Sequence, residues 1–199
     1  MTDLESAAAA ATSQSPEPGT WTIDSMHSFV AFTIEHFTIA LARGIASGPA
    51  GTITIAPDPL SSSVQASIDA ATVTTGNAMR DDKVRGPDVL DAEQYPTIDF
   101  ASASVTEASP GHYTVAGDLT LHGITRQVTL DLAVRGVITD SWGKTRLGLT
   151  ATTTIKRSEY DVLKFGHVAL AAGGFMLPDA MSVTLEIEAT RDENTEGGS

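Results

Sequence analysis

Apolar residues that recur at every second position constrain this chain more than any other feature, because such alternation keeps one face of a strand buried and the other wet. Val30, Phe32 and Ile34 alternate with Ala31, Thr33 and Glu35. Ile53 and Ile55 alternate with threonines, and Val64, Ala66 and Ile68 repeat the pattern. Ile98 and Phe100 follow, then Tyr113, Val115, Gly117, Leu119 and Leu121, then Val128, Leu130, Leu132 and Val134. Leu147, Leu149, Ala151, Thr153 and Ile155 form another set, and Val183, Leu185, Ile187 and Ala189 close the series. The segments are rich in Thr and Val, which suit a pleated surface, and long helical runs are missing. The fold class is all-β, with about eight strands.

Residues 75–91 depart from the alternation. Asn77 to Val84 suit a short helical connection that Pro87 ends. His122 and Gly123 separate two alternating segments, and a two-residue hairpin wants positive φ, which glycine supplies freely and histidine tolerates. That turn gives His122 a structural explanation. Eight antiparallel strands close into a barrel that is either filled or holds one small ligand, and a two-sheet sandwich satisfies the same periodicity.

The chain has 199 residues, 41% of them hydrophobic, enough for one well-buried domain. Residues 1–18 and 192–199 are polar and lack a periodic face, so both are predicted to be disordered tails around a domain spanning 19–191. Six of the 25 acidic residues lie in those tails, leaving 19 against 12 basic residues in the domain. An acidic surface argues against nucleic acid or an anionic membrane surface as a partner. No stretch approaches the ~20 apolar residues of a membrane-spanning helix, and no cationic start precedes an early apolar run. Cysteine is absent, which excludes disulfides and thiolate chemistry and allows a reducing compartment. The cytoplasm is the expected location, and a homodimer is left open.

Catalytic and metal signatures are weak. No Gly-x-Ser-x-Gly elbow occurs, and Ser28 beside His27 would point to the opposite side of a strand. The histidines, His27, His36, His112, His122 and His167, form no close pair of metal-ligating spacing. No metal and no cofactor is expected. His36 continues the phase of Val30, Phe32 and Ile34, so it is expected inward at the end of its strand. Arg80 either pins a connection to a strand end or supplies a counter-charge to a polar head group, with Asp81 capping or pairing locally. Lys156 and Arg157 carry the same ambiguity, and alternation sends them to opposite sides.

Read in order, several phrases resemble the YceI-like family. They are Trp21 to Asp24, His27 and Ser28, the alternating run to His36, then Thr75 with Arg80 and Asp81. Tyr95 to Phe100, Gly117 to Thr125, and Gly173 with Gly174 before Phe175 continue the likeness, which covers roughly residues 20–191. The chain departs from the family at Ala171 and Ala172, where a Glu is usual, and at Leu177 and Pro178, where a Val-Gly step is usual. Asp88 to Asp91 replaces a more aromatic segment.

The resemblance implies a single eight-stranded antiparallel lipocalin-like barrel with short helical connections. It implies a protein that binds, sequesters or carries a polyisoprenoid or similar long-chain lipid, rather than an enzyme. On that reading the apolar wall is Phe32, Ile34, Phe100, Tyr113, Val115, Leu119, Leu149 and Phe165, with His36, Arg80 and Arg157 orienting a head group at the rim. An enzyme using the same cavity, with His36 as acid or base, and a filled barrel serving as an interaction scaffold are the alternatives.

Overall fold

The computed structural model of the protein describes residues 15–162, 169, 173 and 176–192. The expectations for residues 1–14, Phe165, His167, Ala171, Ala172, Gly174, Phe175 and 193–199 lie outside the described residues. The strands are β1 (Gly19–Ile23), β2 (Phe29–His36), β3 (Ala40–Ser47), β4 (Ala50–Ile55) and β5 (Ser63–Asp69). They continue with β6 (Thr97–Ser109), β7 (His112–Leu121), β8 (Ile124–Thr139), β9 (Thr145–Lys156) and β10 (Ala180–Arg191). Helix α1 (Ala78–Arg85) and the 3-10 turns Pro59–Ser61, Ala70–Thr72 and Arg157–Tyr160 are the other elements among the described residues.

Ten strands make an eight-position barrel because two positions are each filled by a broken strand. β10 pairs along one edge with β2 through Ser182–Thr33 to Glu186–Phe29, and farther along the same edge with β1 through Ala189–Ile23 to Arg191–Trp21. β3 and β4 likewise lie end to end, paired with β2 and β1 respectively. From β4 the order runs through β5, β6, β7, β8 and β9 to β10, which closes the antiparallel barrel. The sandwich alternative is thereby removed. Ser28 mends the break between β1 and β2: it is buried, and its hydroxyl donates to the Glu188 carbonyl at 3.1 Å and accepts from the Glu188 amide at 2.9 Å. Backbone groups that would be orphaned inside the barrel wall are satisfied by one side chain.

β3 escaped the alternation rule for a packing reason. Its partners of Val30, Phe32 and Ile34 are Ala46, Gly44 and Ala42, so its inward face is small. The Phe32 ring lies where a Gly44 Cβ would stand. Phe100 lies over Gly117 in the same way, within 2.6 Å of the Cβ position. Large rings on one strand are thus accommodated by glycine on the next, which keeps the wall close-packed.

The β7–β8 hairpin has the expected two-residue turn, with φ of 53° at His122 and 70° at Gly123. Helix α1 begins at Asn77, whose side chain accepts from the Arg80 amide at 3.1 Å, and ends at Gly86, just before Pro87. One end of the barrel is plugged by Trp21, Leu147 and Ala189, all fully buried. At the other end Val73, Val89, Leu90, Leu121, Tyr160 and Val162 pack under the connections. Each fully buried aliphatic or aromatic chain contributes roughly 1.5–3 kcal/mol. Glu17 and Pro18, just before β1, are fixed as well: Trp21 Nε1 donates to the Glu17 carbonyl at 3.2 Å, and Arg191 holds the Glu17 carboxylate and the Pro18 carbonyl.

Candidate functional site

Between the two packed ends, the inward side chains form an apolar wall that is only partly covered. Phe32, Phe100, Leu119, Val128, Val183 and Leu185 pack against the core yet remain half-buried. Residues on the inward phase of a closed, filled barrel would be fully enclosed, as Leu147 is. Tyr113 is half-buried on the same phase, whereas Ile34, Val115 and Leu149 are 8%, 4% and 8% exposed and belong to the packed core. Phe32, Phe100, Tyr113 and Leu119 are therefore the half-buried members of the inward set, and Ile34, Val115 and Leu149 the buried ones.

The barrel wall also has a seam. β8 and β9 are paired from Thr139–Thr145 to Asp131–Thr152, and the ladder stops there. Continued by one more turn of the same register, Thr129 would face Thr154 and Gln127 would face Lys156. Instead those residues line a cleft of ~580 Å³. Its exposed lip carries Gln127, Thr129, Thr152, Thr154 and Ser182, with Asp131, Lys156 and Glu159 as its charges. Val128, Thr153, Ile155, Tyr160 and Val183, from the inward phase and the adjoining turn, complete the lining. The 3-10 turn Arg157–Tyr160 frames the upper side, held to the β7–β8 turn by His122 Nδ1 and the Tyr160 carbonyl, 3.2 Å apart. His122 also sets its ring edge-on to Tyr95 at 4.8 Å.

Tyr160 is fully buried, and its hydroxyl has no hydrogen-bond partner among the described residues. Burial pushes this phenol up to about 12, so it is a donor across the physiological range. Nothing in the alternation singled it out, because it follows the last strand-like residue of β9. The nearby pairing of Lys156 with Glu159 at 3.6 Å leaves Asp131 as the unbalanced charge of the lip.

The polar residues expected at the rim take other places. His36 ends β2 on the surface, with its ring 4.3 Å from that of Phe37. The chain turns at once through Phe37 and Thr38, both at positive φ, so the inward phase stops at Ile34. Arg80 is exposed and reaches back to Thr75, donating through Nε to its hydroxyl at 2.7 Å and through Nη2 to its carbonyl at 2.9 Å. Asp81 is buried and accepts from the Thr74 hydroxyl at 2.6 Å and the Thr75 amide at 2.7 Å, which holds it down at about 2. The phrase from Thr75 to Asp81 is thus a lock on the entry to α1. Arg157 is 3% exposed, donating to the Pro178 carbonyl through Nε at 3.0 Å and through Nη2 at 2.6 Å, and its burial lowers the guanidinium from its ordinary value. It ties the 3-10 turn to the approach to β10, while its neighbour Lys156 points outward, as the alternation predicts.

At the plugged end, Asp24, His27 and Glu188 bring potential ligand atoms within 4.8 Å of one another. Arg146 takes those carboxylates: it reaches Asp24 at 3.0 Å, Asp140 at 2.6 Å, and Glu188. Its pKa is raised, chiefly by Asp140, while the His27 contact at 2.8 Å holds Asp24 at about 2. A cation would have to displace a guanidinium already matched to three carboxylates, so the cluster is an ion-pair network that fastens β1, β9 and β10.

The model of the YceI-like domain matches residues 21–189. A UPF0312 protein of Ectopseudomonas mendocina is 34% identical over 139 residues, which is 69% of this chain and 73% of that protein. One from Pseudomonas putida strain W619 is 30% identical over 166 residues, 83% of this chain and 80% of its own length. Among solved structures, BcnA of Burkholderia cenocepacia matches with a TM-score of 0.72 at 24% identity, covering 84% of this chain and 99% of that one. A polyisoprenoid binding domain from Saccharophagus degradans, implicated in plant cell wall breakdown, matches with a TM-score of 0.65 at 18% identity, covering 88% of this chain and 100% of that one. At those identities the two structures speak to the fold. The domain match over residues 21–189, the identity to the two relatives and the closed barrel agree, and the chain belongs to the YceI-like family.

Proposed function

We propose that this protein binds a polyisoprenoid or similar long-chain amphiphilic lipid inside the barrel and sequesters or carries it without changing it chemically. The observation that carries this reading is the half-buried apolar wall of Phe32, Phe100, Leu119, Val128 and Leu185 within a closed barrel. The polyisoprenoid named for the Saccharophagus degradans domain supports the same ligand class. The physical balance is favourable. At roughly 0.8 kcal/mol per buried methylene-sized group, a tail of ~20 carbons offers on the order of 16 kcal/mol, against an association cost of about 4–15 kcal/mol.

In this reading Phe32, Phe100, Tyr113 and Leu119 touch the tail, Ile34, Val115 and Leu149 back the wall, and Arg80 and Arg157 hold the loops around it. The proposed compartment is the cytoplasm, which the cysteine-free composition allows. Native mass spectrometry of freshly purified protein tests the binding function. One prenyl-lipid mass per chain, released on denaturation, is expected. Protein that is lipid-free and takes up no geranylgeraniol from detergent would contradict it.

A further inference from the structure

Two observations that the lipid-binding reading does not use converge on the seam between β8 and β9. The first is topological. Two neighbouring strands of a closed barrel stop pairing at Asp131–Thr152 although both continue, β8 back to Ile124 and β9 on to Lys156. Each keeps its ladder on the far side, β8 with β7 and β9 with β10, so only the facing edges are open. Unpaired edges are costly to leave in a barrel and are ordinarily closed. The cleft between them reaches from the hydroxyl-bearing lip to Val128, Ile155 and Val183, which pack with the interior cluster.

The second is chemical. Tyr160 lines this cleft, is fully buried, and leaves its hydroxyl without a partner among the described residues. A buried unsatisfied donor is a penalty the free protein bears and a bound acceptor would relieve. The acceptor is an uncharged oxygen rather than a phosphate. Asp131 and Glu159 outnumber Lys156 on the lip, and Lys156 is paired with Glu159 at 3.6 Å, so the cleft offers a phosphate no unpaired cation among its lining residues.

We propose that the β8–β9 seam is a lateral port through which the lipid enters the barrel, and that the Tyr160 hydroxyl donates a hydrogen bond to an uncharged oxygen at the lipid's polar end. The proposal rests on the lipid-binding reading. The ligand class it names is a prenyl lipid ending in an alcohol or carbonyl. The threonine-lined lip wets that end, while the tail lies among the apolar side chains inside.

The test uses the full chain, whose lack of cysteine makes thiol chemistry selective. Thr129→Cys and Thr154→Cys are combined and bridged across the seam with a short bismaleimide, and the same variant capped with N-ethylmaleimide is the control. Uptake of geranylgeraniol from phosphatidylcholine vesicles should slow at least ~10-fold in the bridged protein and not in the control. Tyr160→Phe should melt at or above the wild-type temperature and bind geranylgeraniol about 5-fold more weakly, one neutral hydrogen bond's worth. Geranylgeranyl phosphate should bind more weakly than the alcohol, with a ratio that Tyr160→Phe narrows. Unchanged uptake in the bridged protein, thiols that react but cannot be bridged, or unchanged affinity in Tyr160→Phe would each overturn the port. Wild-type protein that binds neither probe would overturn the lipid reading itself, so the two failures are told apart.

Discussion

At the scale of single residues, several polar side chains make contacts that hold the fold, and each has a measurable consequence. Ser28 satisfies both backbone groups of Glu188 at the break between β1 and β2. Ser28→Ala should therefore cost about 1–3 kcal/mol in urea unfolding; a loss below a few tenths would show that water replaces the hydroxyl. Asp81 and Asp24 are both held at about 2, by Thr74 with Thr75 and by His27 with Arg146. A depressed carboxylate stabilises the fold above its unfolded pKa of 3.8, and that contribution is lost as pH falls from there towards 2. The raised pKa of His27 has the opposite sign, contributing below 6.5 and fading as pH rises through its folded value. Stability should peak between the two windows. Asp81→Asn should be less stable at neutral pH and show a flatter loss in acid. Parallel acid profiles for wild type and variant would remove Asp81 from the account.

At the scale of elements, legibility in the sequence followed the size of the inward residue. Strands β6 to β10 announce themselves because most of their inward positions hold Val, Leu, Ile, Phe or Tyr. β3 does not, since its inward positions are Ala42, Gly44 and Ala46, and the pattern that defines it is shared with the Phe32 ring on the neighbouring strand. Single-strand periodicity cannot register a complementarity that lives across two strands. Gly44→Ala should accordingly destabilise by about 1–3 kcal/mol through overpacking, with partial recovery in the Gly44→Ala, Phe32→Leu double variant. Additive losses in that pair would mean the ring is free to move aside. His36 lies on the surface for a related reason: phase extrapolates along a strand but carries no information about where the strand stops. The Tyr160 hydroxyl and the β8–β9 seam were invisible in sequence, because one depends on burial among distant segments and the other on a ladder that ends while both strands continue.

At the scale of the whole molecule, the barrel is plugged at one end by Trp21 and Leu147 and covered at the other by the α1 segment and the Arg157–Tyr160 turn, and the proposed space for one elongated apolar guest lies between them. Val115 is a poor place to narrow that space, since at 4% exposure between Leu130 and Ala151 a tryptophan would test packing instead of binding. Leu119 sits on the same inward phase and is half-buried, so on the lipid-binding reading added bulk there competes with the guest. The most direct test of the lipid-binding barrel is a titration of wild type and Leu119→Trp with geranylgeraniol, with thermal unfolding of both measured in parallel. The account predicts one molecule bound per wild-type chain and at least ~10-fold weaker binding by a Leu119→Trp variant that melts within a few degrees of wild type. Unchanged affinity in a normally folded Leu119→Trp would contradict a guest inside the barrel.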